Sequence, residues 1–248
     1  MRYEELTMVG RNAVLEAFRA GKTIDRLFIL DGCQDGPIKS ILREAKKTDT
    51  IITFVKKERL DQMSEEGKHQ GVIAYAAAYE YAEVDDILEA AKAKGEAPFL
   101  IILDGIEDPH NLGAMLRTAN QAGAHGIIIP KRRAVGLTAT VAKVSAGAIN
   151  YTPVAKVTNL VATMEELKEK GLWFVCADMS GEVMYRQNLT GPIGLVIGSE
   201  GEGVSRLVKE KCDFVTKIPM VGDIDSLNAS VAMGVLTYEI VRQRSFAK

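Results

Sequence analysis

From Phe99 onwards, short apolar runs alternate with stretches in which apolar residues recur every three or four positions. FLIIL (Phe99–Leu103) and LVI (Leu195–Ile197) are apolar at every position, as in strands covered on both faces of a parallel sheet. The three-to-four spacing marks amphipathic helices. The pattern predicts strand 99–104, helix 111–122, strand 126–129, helix 138–147, a strand near 152–154 and helix 158–170. It continues with strand 172–177, strand 193–198, helix 203–210, strand 214–218 and a long helix 226–244. The first 76 residues carry an alternation of their own: helix Asn12–Arg19, strand Arg26–Leu30, and a helix opened by Gly36-Pro37 and running to Lys47. Strand Ile51–Val55, a polar helix Glu58–Glu66 and strand Gly71–Ala76 complete it. Residues 77–97 are rich in Ala and Glu, hold one helical stretch (Val84–Ala93), and read as a linker. The fold class is therefore α/β, with a small N-terminal domain (1–76), a linker (77–97) and a larger domain (98–248) on a parallel sheet.

Composition narrows the functional class. The 248 residues are 47% apolar and 26% charged, as in ordinary soluble globular proteins. Apolar runs stay short of the roughly 18 residues a membrane span needs, and MRYEELTMVGRN has acids where a secretion signal is basic, then apolar. Cys33, Cys176 and Cys212 are odd in number, without a CxxC, and read as reduced thiols of a cytoplasmic protein. His69, His110 and His125 lack metal-ligand spacing, so no metal is expected. The net charge of −2 hides an uneven distribution: residues 76–98 carry −4, and the blocks on either side +1 each. Basic clusters stand at Lys39, Arg43, Lys46 and Lys47, at Lys56, Lys57 and Arg59, and at Lys131, Arg132 and Arg133. Phosphate responds to local potential, not to the total, so RNA is permitted by charge without being required by it.

Three segments concentrate the chemistry: DGIEDPHNLGAMLRT (Asp104–Thr118), LVIGSEGEG (Leu195–Gly203) and IPMVGDIDSLNAS (Ile218–Ser230). In each, an apolar strand ends in Gly, Asp, Asn or Ser, the position where open α/β sheets build ligand sites. No GxxxxGK[ST] is present, and Asp104 to Pro109 replaces the GxGxxG of a dinucleotide fold. The Gly198–Gly203 turn carries Glu200 and Glu202, which suit a cationic ligand such as a sulfonium or ammonium better than a phosphate.

In order and spacing the three segments resemble the motifs of the SPOUT superfamily, in its SpoU/TrmH family of RNA ribose 2′-O-methyltransferases. Asn111 to Thr118 matches the first motif, Ile197 to Gly203 the second, and Ile218-Pro219-Met220 with Ser226 to Ser230 the third. Gly10 to Ala17 and His69 to Val72 are similar to the family's N-terminal substrate-binding domain, built like certain RNA-binding ribosomal proteins. Nearly the whole chain is covered, and the nearest match is to members that methylate a guanosine of 23S ribosomal RNA. Transfer RNA as substrate, or a non-catalytic RNA-binding or ribosome-assembly role on the same fold, stays open. The resemblance implies S-adenosyl-L-methionine as cofactor, RNA as partner, and a homodimer with sites at the subunit interface. It also implies a deep trefoil knot in the C-terminal domain, where periodicity alone predicts an unknotted doubly wound sheet.

The resemblance also assigns residues. Arg117, Asn111, Glu200, Ser226 and Asn228 are the catalytic candidates, and Gly198, Ile218, Leu227, Ile197 and Met220 line the cofactor site. Arg11 in the N-terminal domain is an RNA candidate, as are Lys131, Arg132 and Arg133, which follow strand 126–129 on the same chain edge as the site and otherwise read as a solvated loop. Read as plain sequence, Asn111 and Ser226 are helix caps and Glu200 caps helix 203–210. Arg117 follows Asn111 by six positions, about 240° around a helix, so either the site is wide or one of the two serves a neighbouring subunit's pocket; the resemblance implies the latter, with Arg117 near the ribose hydroxyl. A guanidinium is a poor base, so Arg117 is expected mainly to stabilise a developing alkoxide, with direct base action left open.

Overall fold

The computed structural model describes residues 7–64, 67–223 and 226–246. They form two compact units: residues up to Glu80 with Gly136–Ala139, and Tyr81–Val135 with Thr140 onwards.

The first unit contains β1 (Thr7–Val9), α1 (Arg11–Arg19), β2 (Ile24–Leu30), α2 (Gly36–Lys47), β3 (Ile51–Val55), α3 (Lys57–Met63) and β4 (Val72–Ala76). Its sheet runs β1-β4-β2-β3, with β2 and β3 parallel and β4 antiparallel to both its neighbours. Asp35 caps α2 through its side chain (3.2 Å from Ile38 N), and Pro37 sits in the first turn, where its missing N–H costs nothing. Val14 and Ala17 of α1 and Ile38, Ile41 and Ala45 of α2 close over Leu27, Ile29, Val72 and Ala74. The short β1 lacked a readable pattern, and the expected helix to Glu66 ends at Met63; Glu65 and Glu66 lie outside the described residues.

The second unit opens with α4 (Val84–Ala93), inside the stretch expected as a linker. Ala82 bridges to Ala155 and Ile87 is buried against Leu100, Ile102 and Ile128, so residues 81–97 belong to this unit, with Ile87 and Ala91 in its core, and are not a spacer. Then come β5 (Phe99–Asp104), α5 (Pro109–Gln121), β6 (Gly126–Pro130), α6 (Ala139–Val144), a 3₁₀ turn at Ala148–Asn150, β7 (Val154–Val157) and α7 (Leu160–Glu169). The chain goes on through β8 (Trp173–Val183), a 3₁₀ turn at Met184–Arg186, β9 (Ile193–Gly198), α8 (Arg206–Glu210), β10 (Phe214–Lys217) and α9 (Ala229–Phe246). All six strands are parallel, in the order β10-β8-β9-β5-β6-β7. Phe99 to Leu103 are each at most 2% exposed, as an unbroken apolar run in a parallel sheet predicts.

Two elements differ instructively from the sequence pattern. The strand expected at 172–177 runs on to Val183, because Glu182 and Val183 pair with β10 again after the ladder breaks at Cys176. The helix expected over 203–210 shrinks to Arg206–Glu210, since Gly198–Ser205 folds back on the end of β9.

Candidate active site

Strands β5 and β9 are neighbours in register, with Asp104 opposite Gly198, so the first two motifs leave the sheet side by side. Gly105 turns with φ +79°, a left-handed conformation that glycine adopts freely. Asp104 Oδ2 accepts the Ser205 N–H at 2.8 Å, binding the far end of the Gly-rich loop to β5. Within that loop Ser199 and Gly203 exchange both backbone hydrogen bonds (3.1 and 3.0 Å), closing a tight turn around Glu200, Gly201 and Glu202. Gly198 makes this closure possible: a Cβ there would lie 2.0 Å from the Gly203 carbonyl carbon.

Glu200 sits at the tip and joins all three motifs. Its Oε1 accepts from Asn111 Nδ2 (2.8 Å), Asn228 Nδ2 (2.5 Å) and the Ala229 N–H (3.3 Å). Asn228 Nδ2 also donates to Asn111 Oδ1 at 2.9 Å. The carboxylate thus lies at the N-terminus of α9, where the helix dipole and free N–H groups favour negative charge. Residues 89 and 117 positions apart are locked into one polar cluster.

The capping expectations need correction. Asp108, not Asn111, caps α5, accepting the His110 N–H at 2.8 Å and leaving the Asn111 side chain free for Glu200. Asn228, not Ser226, caps α9: its Oδ1 accepts from Ser230 N (3.0 Å), Ser230 Oγ (2.5 Å) and Val231 N (3.3 Å). Glu200 serves α9 and not α8.

Two clefts flank this cluster. The first, of about 520 Å³, is lined by Ile197, Gly198, Glu200, Ile218, Met220, Ser226, Leu227 and Asn228, which brings together every cofactor candidate read from the sequence. It also includes Ala177, Asp178, Thr216, Lys217, Ala232 and Leu236, which sequence reasoning missed. Burial pushes the Asp178 carboxyl up, but hydrogen bonds from Lys209 and Ser180 outweigh it and hold the group down at about 2. The second cleft, of about 720 Å³, is lined by Asp104–Asp108, Asn111, Arg133, Ser199, Glu200, Glu202–Arg206. Ser199, Glu200, Glu202 and Gly203 face both, so the Gly-rich loop is a partition between two compartments.

The remaining candidates divide. Arg133 reaches the second cleft from a left-handed turn (φ 54°), and Arg132 is exposed beside it. Lys131 is half-buried, its backbone N–H bonded to Val157 O at 2.8 Å. Arg117 is exposed on α5 and lines neither cleft. Arg11 is engaged within the first unit: its Nε donates to Gln70 O (2.9 Å) and its Nη2 to Asp35 Oδ2 (2.5 Å), at the rim of a small pocket with Leu30, Cys33 and Gly71. His69 is buried, accepting the Gly71 N–H at 2.9 Å and facing Asp61 at 3.0 Å. Among the described residues no group of three or more His, Cys, Asp or Glu is placed to hold a metal ion, and no helix is long and apolar enough to cross a membrane.

Comparison with known proteins places these features in a family. The sequence model of the SpoU rRNA Methylase family matches residues 98–238, and that for RNA 2′-O ribose methyltransferase substrate binding matches residues 8–82. YacO of Bacillus subtilis (strain 168), assigned to the TrmH family of tRNA/rRNA methyltransferases, is 53% identical over 240 residues, 96% of each chain. A TrmH family relative from Staphylococcus saprophyticus is 50% identical over 98% of each chain. Among solved structures, the SpoU methyltransferase AviRb from Streptomyces viridochromogenes, in complex with AdoMet, aligns with a TM-score of 0.61 at 23% identity. That alignment covers 97% of this chain and 90% of the other, and it shows a shared fold.

Proposed function

Because the chain belongs to the SpoU/TrmH family of RNA methyltransferases, we propose that it methylates a ribose 2′-hydroxyl, that of a guanosine in 23S ribosomal RNA, using S-adenosyl-L-methionine. The observation that carries this reading is the Asn111–Glu200–Asn228 cluster on the partition between two clefts. In-line transfer needs the donor methyl and the acceptor oxygen in direct contact, which two clefts meeting at one polar cluster can provide, and alignment alone supplies much of the rate.

The first cleft fits the cofactor. Its volume of about 520 Å³ is in the range of small-molecule sites, and apolar Ile197, Ile218, Met220 and Leu227 share its lining with Glu200, Ser226 and Asn228. Bound there, S-adenosylmethionine supplies an electrophilic methyl on a sulfonium. Glu200 and its asparagine partners fix the loop and give the lining a negative charge that would suit such a cation. Ser226 offers a hydroxyl at the same wall.

The second cleft is the place for the acceptor nucleotide. Its lining carries the carboxylates of Asp104, Glu107, Asp108, Glu200 and Glu202, so a phosphate is suited only by Arg133 and Arg206, while Asn111 at the partition can orient a ribose. Lys131 and Arg132 extend the basic edge. The match of residues 8–82 to a substrate-binding model supports RNA capture by the first unit, where Arg11 shapes a pocket even though its guanidinium is partly committed to Asp35.

Arg117 is assigned to a second copy. Exposed on α5 and outside both clefts of its own chain, it would enter the partner's site and steady the developing alkoxide. A homodimer is supported by Val231 and Tyr238, seven residues apart on one face of α9 and about half exposed. A deep trefoil knot is supported by the path after edge strand β10. The chain returns to Asn228 at the ends of β5 and β9, and Gln243 then bonds to Gln187 O and Leu189 N in the β8–β9 connection. Free Cys33, Cys176 and Cys212 suit a reducing cytoplasm.

Transfer of labelled methyl from S-adenosylmethionine to purified 23S ribosomal RNA and to bulk tRNA, followed by mapping of ribose methylation, tests this. Label on a 23S guanosine 2′-oxygen is expected, with Arg117→Ala losing at least about 100-fold in rate. Label confined to tRNA would move the substrate; no transfer to either RNA would leave a binding protein.

A further inference from the structure

Strand β8 leaves its regular ladder after Cys176. Val215 of β10 stands opposite Cys176, yet the next residue, Thr216, stands opposite Glu182, so residues 177–181 loop out as a bulge. Gly181 permits the close approach, since a Cβ there would lie 2.5 Å from the Val215 carbonyl carbon. Bulges of this kind re-aim side chains next to active sites. Here Ala177, Asp178 and Met179 are turned to the wall of the first cleft.

Asp178 is held firmly in the bulge. Its Oδ1 accepts from Ser180 N (2.8 Å) and Ser180 Oγ (2.6 Å), and its Oδ2 from Lys209 Nζ (2.8 Å). Lys209 also donates to Ser180 Oγ at 3.1 Å, and it projects from α8, the helix that follows the Gly-rich loop. A carboxylate offers about four acceptor positions. Three are filled, and the remaining one is on Oδ2. Lys209 already balances the charge, so that position suits a neutral hydroxyl better than a second cation.

We propose that Asp178 Oδ2 accepts a hydrogen bond from a ribose hydroxyl of the cofactor's nucleoside. This rests on reading the first cleft as the cofactor site. None of the three motifs contains Asp178, and its bulge joins them as a fourth wall.

Calorimetric titration of the full chain and its Asp178→Asn variant with S-adenosylmethionine, S-adenosylhomocysteine and 5′-methylthioadenosine tests it. Asp178→Asn should weaken all three alike, by about tenfold to a hundredfold, as for a hydrogen bond to a charged group. Wild-type protein that binds none of them would refute the cofactor reading itself. Wild-type binding unchanged in the variant would refute only the role of Asp178. Loss confined to S-adenosylmethionine would mean that the sulfonium charge is read. Loss confined to the two ligands carrying the amino acid would mean that the ammonium is read; both results overturn the proposal. Should Asp178→Asn fail to fold, the 2′-deoxy and 3′-deoxy forms of 5′-methylthioadenosine replace it as probes of the wild type. One of them must bind weaker by the same factor, and equal binding of both with the parent compound overturns the proposal.

Discussion

Replacing Gly198 by alanine isolates the closure of the Gly-rich loop from everything around it. The new methyl would sit 2.0 Å from Gly203 C, 2.1 Å from Val204 N and 2.2 Å from Gly203 O, all backbone atoms that cannot swing aside. Reaching an ordinary contact requires a shift of roughly 1 Å or more, in a turn held by two backbone bonds of 3.1 and 3.0 Å. Overpacking costs about 1–3 kcal/mol, and opening the Ser199–Gly203 pair adds about 1 kcal/mol per bond. If the fold resists, stability drops by about 3–5 kcal/mol. If the loop yields instead, Glu200 moves away from Asn111, Asn228 and Ala229, and cofactor affinity falls by at least ~30-fold, or about 2 kcal/mol. Gly191→Ala is the control, because its added Cβ meets nothing within 4 Å and its φ is ordinary; its change should stay within about 0.5 kcal/mol. Urea unfolding midpoints and calorimetric titration with S-adenosylmethionine measure the two quantities. A Gly198→Ala protein with an unchanged midpoint and cofactor affinity within threefold of wild type would refute the role given to this loop.

Other consequences follow from the same geometry. Glu200→Gln keeps one acceptor but loses its charge, so methyl-transfer kcat/KM should drop about tenfold; combined with Asn228→Ala, the loss should be less than additive by about 1 kcal/mol, as expected of residues sharing hydrogen bonds. His125 has its Nδ1 filled by the Phe99 N–H (3.0 Å) and its Nε2 on Glu96 (3.0 Å), and burial, against the pull of Glu96, holds its pKa below 6.5. The unfolded chain therefore binds the proton more readily. Stability should be full above pH 6.5 and decline as pH falls from 6.5 towards the folded-state pKa, a slope that urea titrations should find missing in His125→Asn. Hydrogen bonding to Cys176, and then burial, push the Cys212 thiol well above its usual range, so an aromatic disulfide reagent should label it only as the protein unfolds.

What the chain discloses before folding depends on how far its signals reach. Apolar runs such as FLIIL announce buried strands because every position is read by the same core, and the three motif turns announce themselves because glycine and carboxylate interrupt those runs abruptly. Val84, Ile87, Leu88 and Ala91 already carried helical spacing, and Ile87 and Ala91 are buried. The surrounding acids gave that stretch the look of a tether, although only one face of the helix meets the core. Choosing the caps was harder, since Asp108, Asn111, Ser226 and Asn228 are all chemically able. Spacing cannot say which oxygen meets a free N–H and which is released to bond elsewhere.

The bulge at 177–181 shows the limit most clearly. Asp178 ends the apolar run Leu172–Ala177, but with Ser180 and Glu182 it opens no helix, so nothing local tells a wall or ligand from an ordinary strand end. Their position is set by Gly181 against Val215 and by Lys209 from a helix that begins only after the Gly-rich loop has closed. The Gly198 closure and the Asp178 bulge are therefore one mechanical problem: α8 carries Lys209 to the bulge only when the loop before it is folded back on β9. Loosening either end should loosen the other, so Lys209→Met should impair cofactor binding in the same direction as Gly198→Ala, though less, because the backbone pair at Ser199 and Gly203 would survive. Calorimetry with S-adenosylmethionine decides it, and a Lys209→Met protein that binds as tightly as wild type would mean that the loop and the bulge are independent.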